Sequence, residues 1–307
     1  MSKLRSIVPG LLLLFALCAF AQDPRVVTFH FGEGGGPDAT FAQGINNLRQ
    51  VSGYIGGEIL TSRGFVWQNG SFIDMFTVGP PSLSRETHVF GINDLGDTVG
   101  NLVDVSGGST VTKGFFRSKY GNVTFLNLVS GQFTAIPSGI NDSRRIVGAY
   151  FNTSTKKTYG FLRFRNGAYV TISHAGSGIT SAEAINESGT IVGFYQNTST
   201  SPEVGFVYRN GHIASTFQCS INGVSRSTEP RGINNWGQIV GRCGDQNFVR
   251  DRFGHITIID LRSLGKALDP VVTGINDHGD IVGSFNPGAP ISFGRFSFVI
   301  YHATKPF

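Results

Sequence analysis

The stretch Gly91-Ile92-Asn93-Asp94-Leu95-Gly96-Asp97-Thr98-Val99-Gly100 decides how this chain is read, because it recurs. GINNLRQVSG begins at Gly44, GINDSRRIVG at Gly139, AINESGTIVG at Ala184, GINNWGQIVG at Gly232 and GINDHGDIVG at Gly274. Steps of 47, 48, 45, 48 and 42 residues separate successive copies. A near-constant period of this size marks one supersecondary unit stacked many times.

Working outward from the copy at Gly139, Ala135 to Asn141 is an apolar run entering the turn Asn141-Asp142-Ser143-Arg144. Ile146 to Phe151 reads as a second strand, Gly160 to Phe164 as a third and Tyr169 to Ile172 as a fourth. Asn166-Gly167 between the last two predicts a type I′ hairpin, whose two central residues need positive φ. Four antiparallel strands in about 46 residues make one propeller blade. In the first turn, Asn leads all six copies and Gly stands three residues later in four, as a type I turn prefers. Arg49 and Arg144 replace that Gly in the other two. A left-handed Arg at either place costs about 1 kcal/mol.

The sequence therefore predicts an all-β fold: a six-bladed β-propeller of four-stranded antiparallel blades over residues 22–307. The sixth unit ends after its third strand, Phe296 to Tyr301, while Val26 to Phe31 has the pattern of a fourth strand. The N-terminal strand is expected to complete the last blade and close the ring, which removes open sheet edges. A linear β-solenoid is the alternative, and it needs no complementary half-units at the two ends.

Residues 1–21 read as a secretory signal peptide: Lys3 and Arg5, an apolar run from Leu11 to Ala19, then Ala19-Phe20-Ala21 as the cleavage pattern. That run is shorter than the roughly 20 residues of a membrane span, and Leu17 before Cys18 does not suit a lipoprotein signal. Secretion to the periplasm or the medium is expected, with no transmembrane segment. The formal charge of +5 includes Lys3 and Arg5, so the chain beyond Ala21 carries only +3. With no basic stripe, that excess gives no ground for a nucleic-acid partner. Charged residues are 15%, against 42 Gly and 26 Phe, which suits tight turns and apolar layers.

Beyond the signal two cysteines remain, Cys219 and Cys243. In an oxidising compartment they are expected to form a disulfide that closes the long connection into the fifth repeat. Metal ligation is the weaker reading, because no CxxC or His-rich spacing accompanies them.

The pattern G-I-N-[ND]-x-G-x-[IV]-V-G, followed by Gly-Phe and later Asn-Gly, resembles the HAF family of extracellular bacterial repeat proteins over residues 26 to 301. That resemblance implies a secreted, propeller-like protein. It transfers no catalytic residue, since the shared positions are turn and strand residues. Asn247-Phe248 in place of Gly-Phe makes the third strand of the fifth repeat the least regular.

Strand alternation sorts the loops onto two faces. The Asn-x-x-Gly and Asn-Gly turns share one face and are short. The connections between second and third strands, and between repeats, share the other and vary. Variable loops on a rigid scaffold are where binding concentrates. Residues entering each innermost strand from that face give the candidate ligand-binding set at the channel mouth: Gln43, His88, Glu183, Glu229 and Arg231, with Ser138 and Thr273 beside them. No catalytic motif is present: HExxH, GxSxG and GxxxxGK[ST] are all missing. The carboxylates of the repeated turn (Asp94, Asp97, Asp142, Asp277, Asp280) do not follow a calcium-loop spacing. No catalytic residue, metal or cofactor is predicted.

The expected function is non-catalytic binding of an extracellular glycan or protein, by a monomer, through the variable face. Two alternatives stand beside it. One is a hydrolase or lyase acting on carbohydrate or lactone through channel acids such as Glu183 and Glu229. The other is a structural envelope repeat protein.

Overall fold

The computed structural model describes residues 25–32, 38–56, 62–80, 85–105, 109–127, 135–259, 261, 268–288 and 294–302. The expected signal peptide lies outside these residues. Every regular element among them is a β-strand, in a propeller-like arrangement.

Four four-stranded sheets are seen. The first repeat pairs Ala39–Ile45, Val51–Gly56, Arg63–Gln68 and Ser71–Phe76 in chain order, all antiparallel. The second pairs Arg85–Ile92, Thr98–Asp104, Val111–Arg117 and Val123–Phe125, and the fifth pairs Thr228–Ile233, Ile239–Cys243, Gln246–Arg250 and Ile256–Ile259. In the sixth, Leu268–Ile275, Ile281–Asn286 and Phe296–Ile300 are joined by Val26–Phe29, which runs antiparallel to Phe296–Ile300. The third and fourth repeats share an eight-stranded sheet, but their halves meet at a single parallel pair, Thr158 with Ile179.

Each third strand plants a phenylalanine between neighbouring sheets. Phe65, Phe115, Phe161, Phe206, Phe248 and Phe298 are all fully buried. Phe29, Val282 and Val299 of the last sheet pack with Ala42, Phe65 and Trp67 of the first, so the chain ends and its beginning share a core. Removing one such ring is worth about 3–5 kcal/mol.

The repeated turn is tighter than its sequence suggested. In all six copies the fourth residue donates its N–H to the leading Asn carbonyl, at 2.9–3.1 Å. That fourth residue has positive φ everywhere, including Arg49 (60°) and Arg144 (57°). The Asn side-chain oxygen accepts the N–H four residues on, at 2.8–3.0 Å. Bonding two residues on, the simpler Asx expectation, is added at Asn46 and Asn276. The two strained arginines gain partners: Arg49 Nε lies 2.8 Å from buried Asp280, and Arg144 Nε 2.8 Å from buried Asp97.

One hairpin differs from expectation. Asn69-Gly70 and Asn210-Gly211 have positive φ at both residues, as a type I′ turn requires. At Asn166-Gly167 only the glycine does, and its N–H reaches Phe164 O at 2.9 Å. That turn is a type I turn with a left-handed glycine behind it, because Arg165 adds a third loop residue.

The irregular fifth repeat has a physical reason. Asn247 donates to Pro270 O at 2.7 Å and accepts the Val272 N–H at 2.9 Å. Ser297, at the matching place of the sixth, donates to Thr40 O at 3.0 Å and accepts the Ala42 N–H at 2.8 Å. Both polar replacements of glycine thus stitch their sheet to the next innermost strand.

Candidate functional site: the channel mouth

Every innermost strand carries a bulge at one place. The register against its second strand skips one residue: Gln43, Phe90, Ser138, Glu183, Arg231 and Thr273, respectively. A bulged residue is left out of the ladder and its side chain is re-aimed. Here all six line the central channel. The glycine closing each Val-Gly or Ser-Gly of the second strand makes this possible. A Cβ at Gly53, Gly100, Gly148, Gly193, Gly241 or Gly283 would collide with the carbonyl oxygen two residues before the bulge.

The channel has a throat of about 80 Å³ and opens on the variable-loop face into a cavity of about 290 Å³. Gln43, Phe90, Ser138, Glu183, Arg231 and Thr273 line that cavity, together with Ile136, Ala149 and Ser181. Of the expected binding residues, Gln43, Glu183 and Arg231 are in the lining and His88 and Glu229 are not. His88 packs on Tyr54 with ring centroids 4.4 Å apart, and its Nε2 sits 3.2 Å from Glu86. Burial pushes the His88 imidazole below its ordinary range, against the pull of Glu86. Glu229 enters indirectly, by holding the Arg231 guanidinium at 2.6 Å. Ile136, Ala149 and Ser181 were not among the expected ligand-binding residues.

Polar groups in the cavity are unequally committed. Thr273 Oγ1 donates to Ala42 O at 2.9 Å, and Ser181 Oγ donates to Glu183 Oε1 at 2.5 Å. Among the described residues, the Gln43 amide and the Ser138 hydroxyl make no hydrogen bond. The Glu183 carboxyl sits deep in the channel, although part of the residue is reached from the mouth. Withdrawal from water pushes it above the ordinary carboxylate range, opposed by Arg231 and by the Ser181 hydrogen bond and reinforced by Glu229. Beside the cavity, Phe41 and Tyr54 stack at 4.7 Å, and Tyr54 meets Phe90 edge-on at 6.4 Å.

The opposite mouth, of about 70 Å³, is lined by five of the second residues of the repeated turns, Asn47, Asp94, Glu187, Asn235 and Asp277. Each turn's second N–H binds the side-chain oxygen of the next: Asn47 to Asp94, Asp94 to Asp142, Asp142 to Glu187, Glu187 to Asn235, Asn235 to Asp277, and Asp277 to Asn47, at 2.7–2.9 Å. Among the described residues, no group of three or more His, Cys, Asp or Glu side chains is arranged to hold a metal ion. No helix among them is long and apolar enough to cross a membrane. Cys219 and Cys243 form a disulfide across 24 residues, enclosing the small hairpin of Ser220–Ile221 and Val224–Ser225.

No protein-family model matches the chain, and no curated protein matches it. Solved structures that it is similar to include a streptogramin B lyase, at 12% identity and TM-score 0.49 over 89% of this chain and 96% of that one. A catalytically inactive virginiamycin B lyase from Staphylococcus aureus with quinupristin is similar at 12% identity and TM-score 0.47, over 85% and 81%. A luciferin-regenerating enzyme is similar at 8% identity and TM-score 0.44, over 87% and 93%. Likenesses at this level assign no chemistry.

Proposed function

We propose that the chain is a secreted, monomeric, non-catalytic propeller of the HAF-repeat kind that binds the end of an extracellular glycan at its channel mouth. Its six repeats form six blades. The shared sheet of the third and fourth repeats divides at the single Thr158–Ile179 pair, and Val26–Phe29 closes the ring. A circuit of side-chain bonds supports that count. Asn46 donates to Asn93 O, Asn93 to Asn141 O, Asn141 to Asn186 O, Asn186 to Asn234 O, Asn234 to Asn276 O, and Asn276 to Asn46 O, at 2.9–3.2 Å.

One observation carries the binding reading: a 290 Å³ cavity in which the uncommitted Gln43 amide and Ser138 hydroxyl stand beside the Phe90 ring. That volume lies near the lower end of the roughly 300–1,000 Å³ of small-molecule sites. It suits one sugar ring, with polar groups for the hydroxyls and an aromatic ring for the apolar face. The test is a glycan-array screen of residues 22–307. Binding to a defined set of glycans, lost on Phe90→Ala and weakened about tenfold on Gln43→Ala, is expected. An array blank for the folded protein overturns the reading.

A hydrolase or lyase is the second reading, favoured by the raised Glu183 carboxyl, which is suited to donating a proton. It needs a second group in the cavity, and Glu229, the acid whose charge acts on Glu183, is held in an ion pair by Arg231. Turnover of an array-positive glycan that Glu183→Gln abolishes would favour this reading over simple binding.

A further inference from the structure

Resting on the glycan reading above, we propose that the channel mouth selects a sugar bearing a free primary amine, with the ammonium seated against Glu183. The argument is a charge balance. Two acids and one base act at this end of the channel: Glu183 and Arg231 in the lining, and Glu229 beside it. Arg231 gives its terminal nitrogen to Glu229 at 2.6 Å. Glu183 is left with a neutral donor, the Ser181 hydroxyl, as its hydrogen-bond partner. The cavity therefore holds one carboxyl more than its own cation neutralises, and burial pushes that carboxyl toward its protonated form.

A ligand cation supplies the missing charge. Burying an uncompensated carboxylate is costly, which is why Glu183 favours its proton, and an ammonium beside it supplies the charge that holds it ionised in an ion pair only an amine ligand can make. An ammonium group also has three donors, which Glu183, Ser138 and the Gln43 side-chain oxygen can accept within one lining. The Phe90 ring adds an aromatic surface, which attracts cations and stacks on sugar faces alike. Anionic sugars meet the opposite situation. Their carboxylate would have to compete with Glu229 for the Arg231 guanidinium and would bring a second negative charge beside Glu183. Neutral and N-acetylated sugars keep the hydroxyl contacts but leave Glu183 unpaired.

Titration calorimetry of the folded chain at neutral pH decides this. Three probes of equal length are compared: a glucosamine trisaccharide, its fully N-acetylated form, and a glucose trisaccharide. The amine form should bind at least tenfold more tightly than the other two. Glu183→Gln keeps size and an acceptor for Ser181, and it should bring the amine form down to the level of the neutral ones. Equal affinities for all three in the wild-type chain overturn the amine inference and leave the glycan reading standing. Tighter binding of the acetylated or glucose probe does the same. If none of the three binds, the inference falls, and the array result separately decides the glycan reading.

Discussion

The Asn276 side-chain amide donates to the Asn46 backbone carbonyl at 3.2 Å, across 230 residues of sequence. Five matching bonds link the other repeated asparagines to the copy that follows. Each of these residues is almost completely buried. The asparagine of each turn therefore fastens its own loop and its neighbour's with the two ends of one amide.

Replacing one of them should act on two repeats at once. Asn141→Ala removes the acceptor of the Arg145 N–H and the donor to Asn186 O. Buried groups left without partners cost about 1–3 kcal/mol each. A loss of about 2–4 kcal/mol in urea unfolding is expected. A change below about 0.5 kcal/mol would show that the circuit contributes nothing net.

The bulge makes a sharper demand on its opposing glycine. Gly148→Ala would press a methyl group into the Ile136 carbonyl oxygen, and neither backbone can yield without losing the bulge. About 3 kcal/mol or more is expected, at the top of the range for overpacking. Gly70→Ala serves as the comparison, since it meets nothing within 4 Å and bears only its positive φ of 86°. That variant should lose about 1–2 kcal/mol. Similar losses for both would remove the steric account.

At Arg144 two effects oppose each other. Glycine there would relieve about 1 kcal/mol of left-handed strain. It would also strip buried Asp97 of its Arg144 contact at 2.8 Å, and hydrogen bonds to charged groups contribute about 1.5–3 kcal/mol. Arg144→Gly is expected to destabilise by about 1–2 kcal/mol in equilibrium unfolding. A stabilised variant would mean that the strain term wins.

Two carboxyls of the turn ring tie stability to pH. Burial holds Asp142 and Glu187 above their ordinary values of 3.8 and 4.5, and neighbouring acids such as Asp94 add to the rise. The folded chain therefore binds these protons more tightly than the unfolded chain does. Their contribution is complete below the ordinary values and is lost as pH rises through the raised ones. Asn47 and Asn235 already occupy matching places in the ring, so amides fit there. Glu187→Gln should raise the melting temperature at pH 7 and leave it nearly unchanged at pH 4. The opposite order in thermal scans would refute the assignment.

The Cys219–Cys243 bond closes a loop of 24 residues, worth on the order of 3 kcal/mol in the chain-entropy model. A Cys219→Ser, Cys243→Ser double variant should unfold at lower temperature and lose all sensitivity to reductant. A wild-type chain indifferent to reductant would contradict this.

Much of the architecture was legible because it repeats. Gly-Ile-Asn with its trailing glycine marks a turn of one geometry, and the Phe of each third strand marks a core position, even where Asn247 or Ser297 replaces the glycine before it. The candidate site was legible only in part, for a reason of register. Strict alternation puts His88 with Phe90, and Glu229 with Arg231, and gives no ground for choosing within each pair. The bulge makes the choice, and it takes the residue directly before the repeated glycine or Ala184. Its trace in the sequence was the glycine of Val-Gly and Ser-Gly, which is the space a displaced carbonyl needs. Asn166 shows the same limit at a turn, where one additional loop residue, Arg165, changes the turn type without changing the Asn-Gly pair.

Six bulged side chains stand outside the ladders that hold their strands. Thr273 bonds to backbone, and Gln43, Phe90 and Ser138 make no hydrogen bond among the described residues. On the glycan reading, what the channel mouth would recognise is set apart from what makes the chain fold. The channel mouth is a six-character field written on a fixed page. On that reading, a change at Gln43, Phe90 or Ser138 would alter specificity while the ladders stayed as they were.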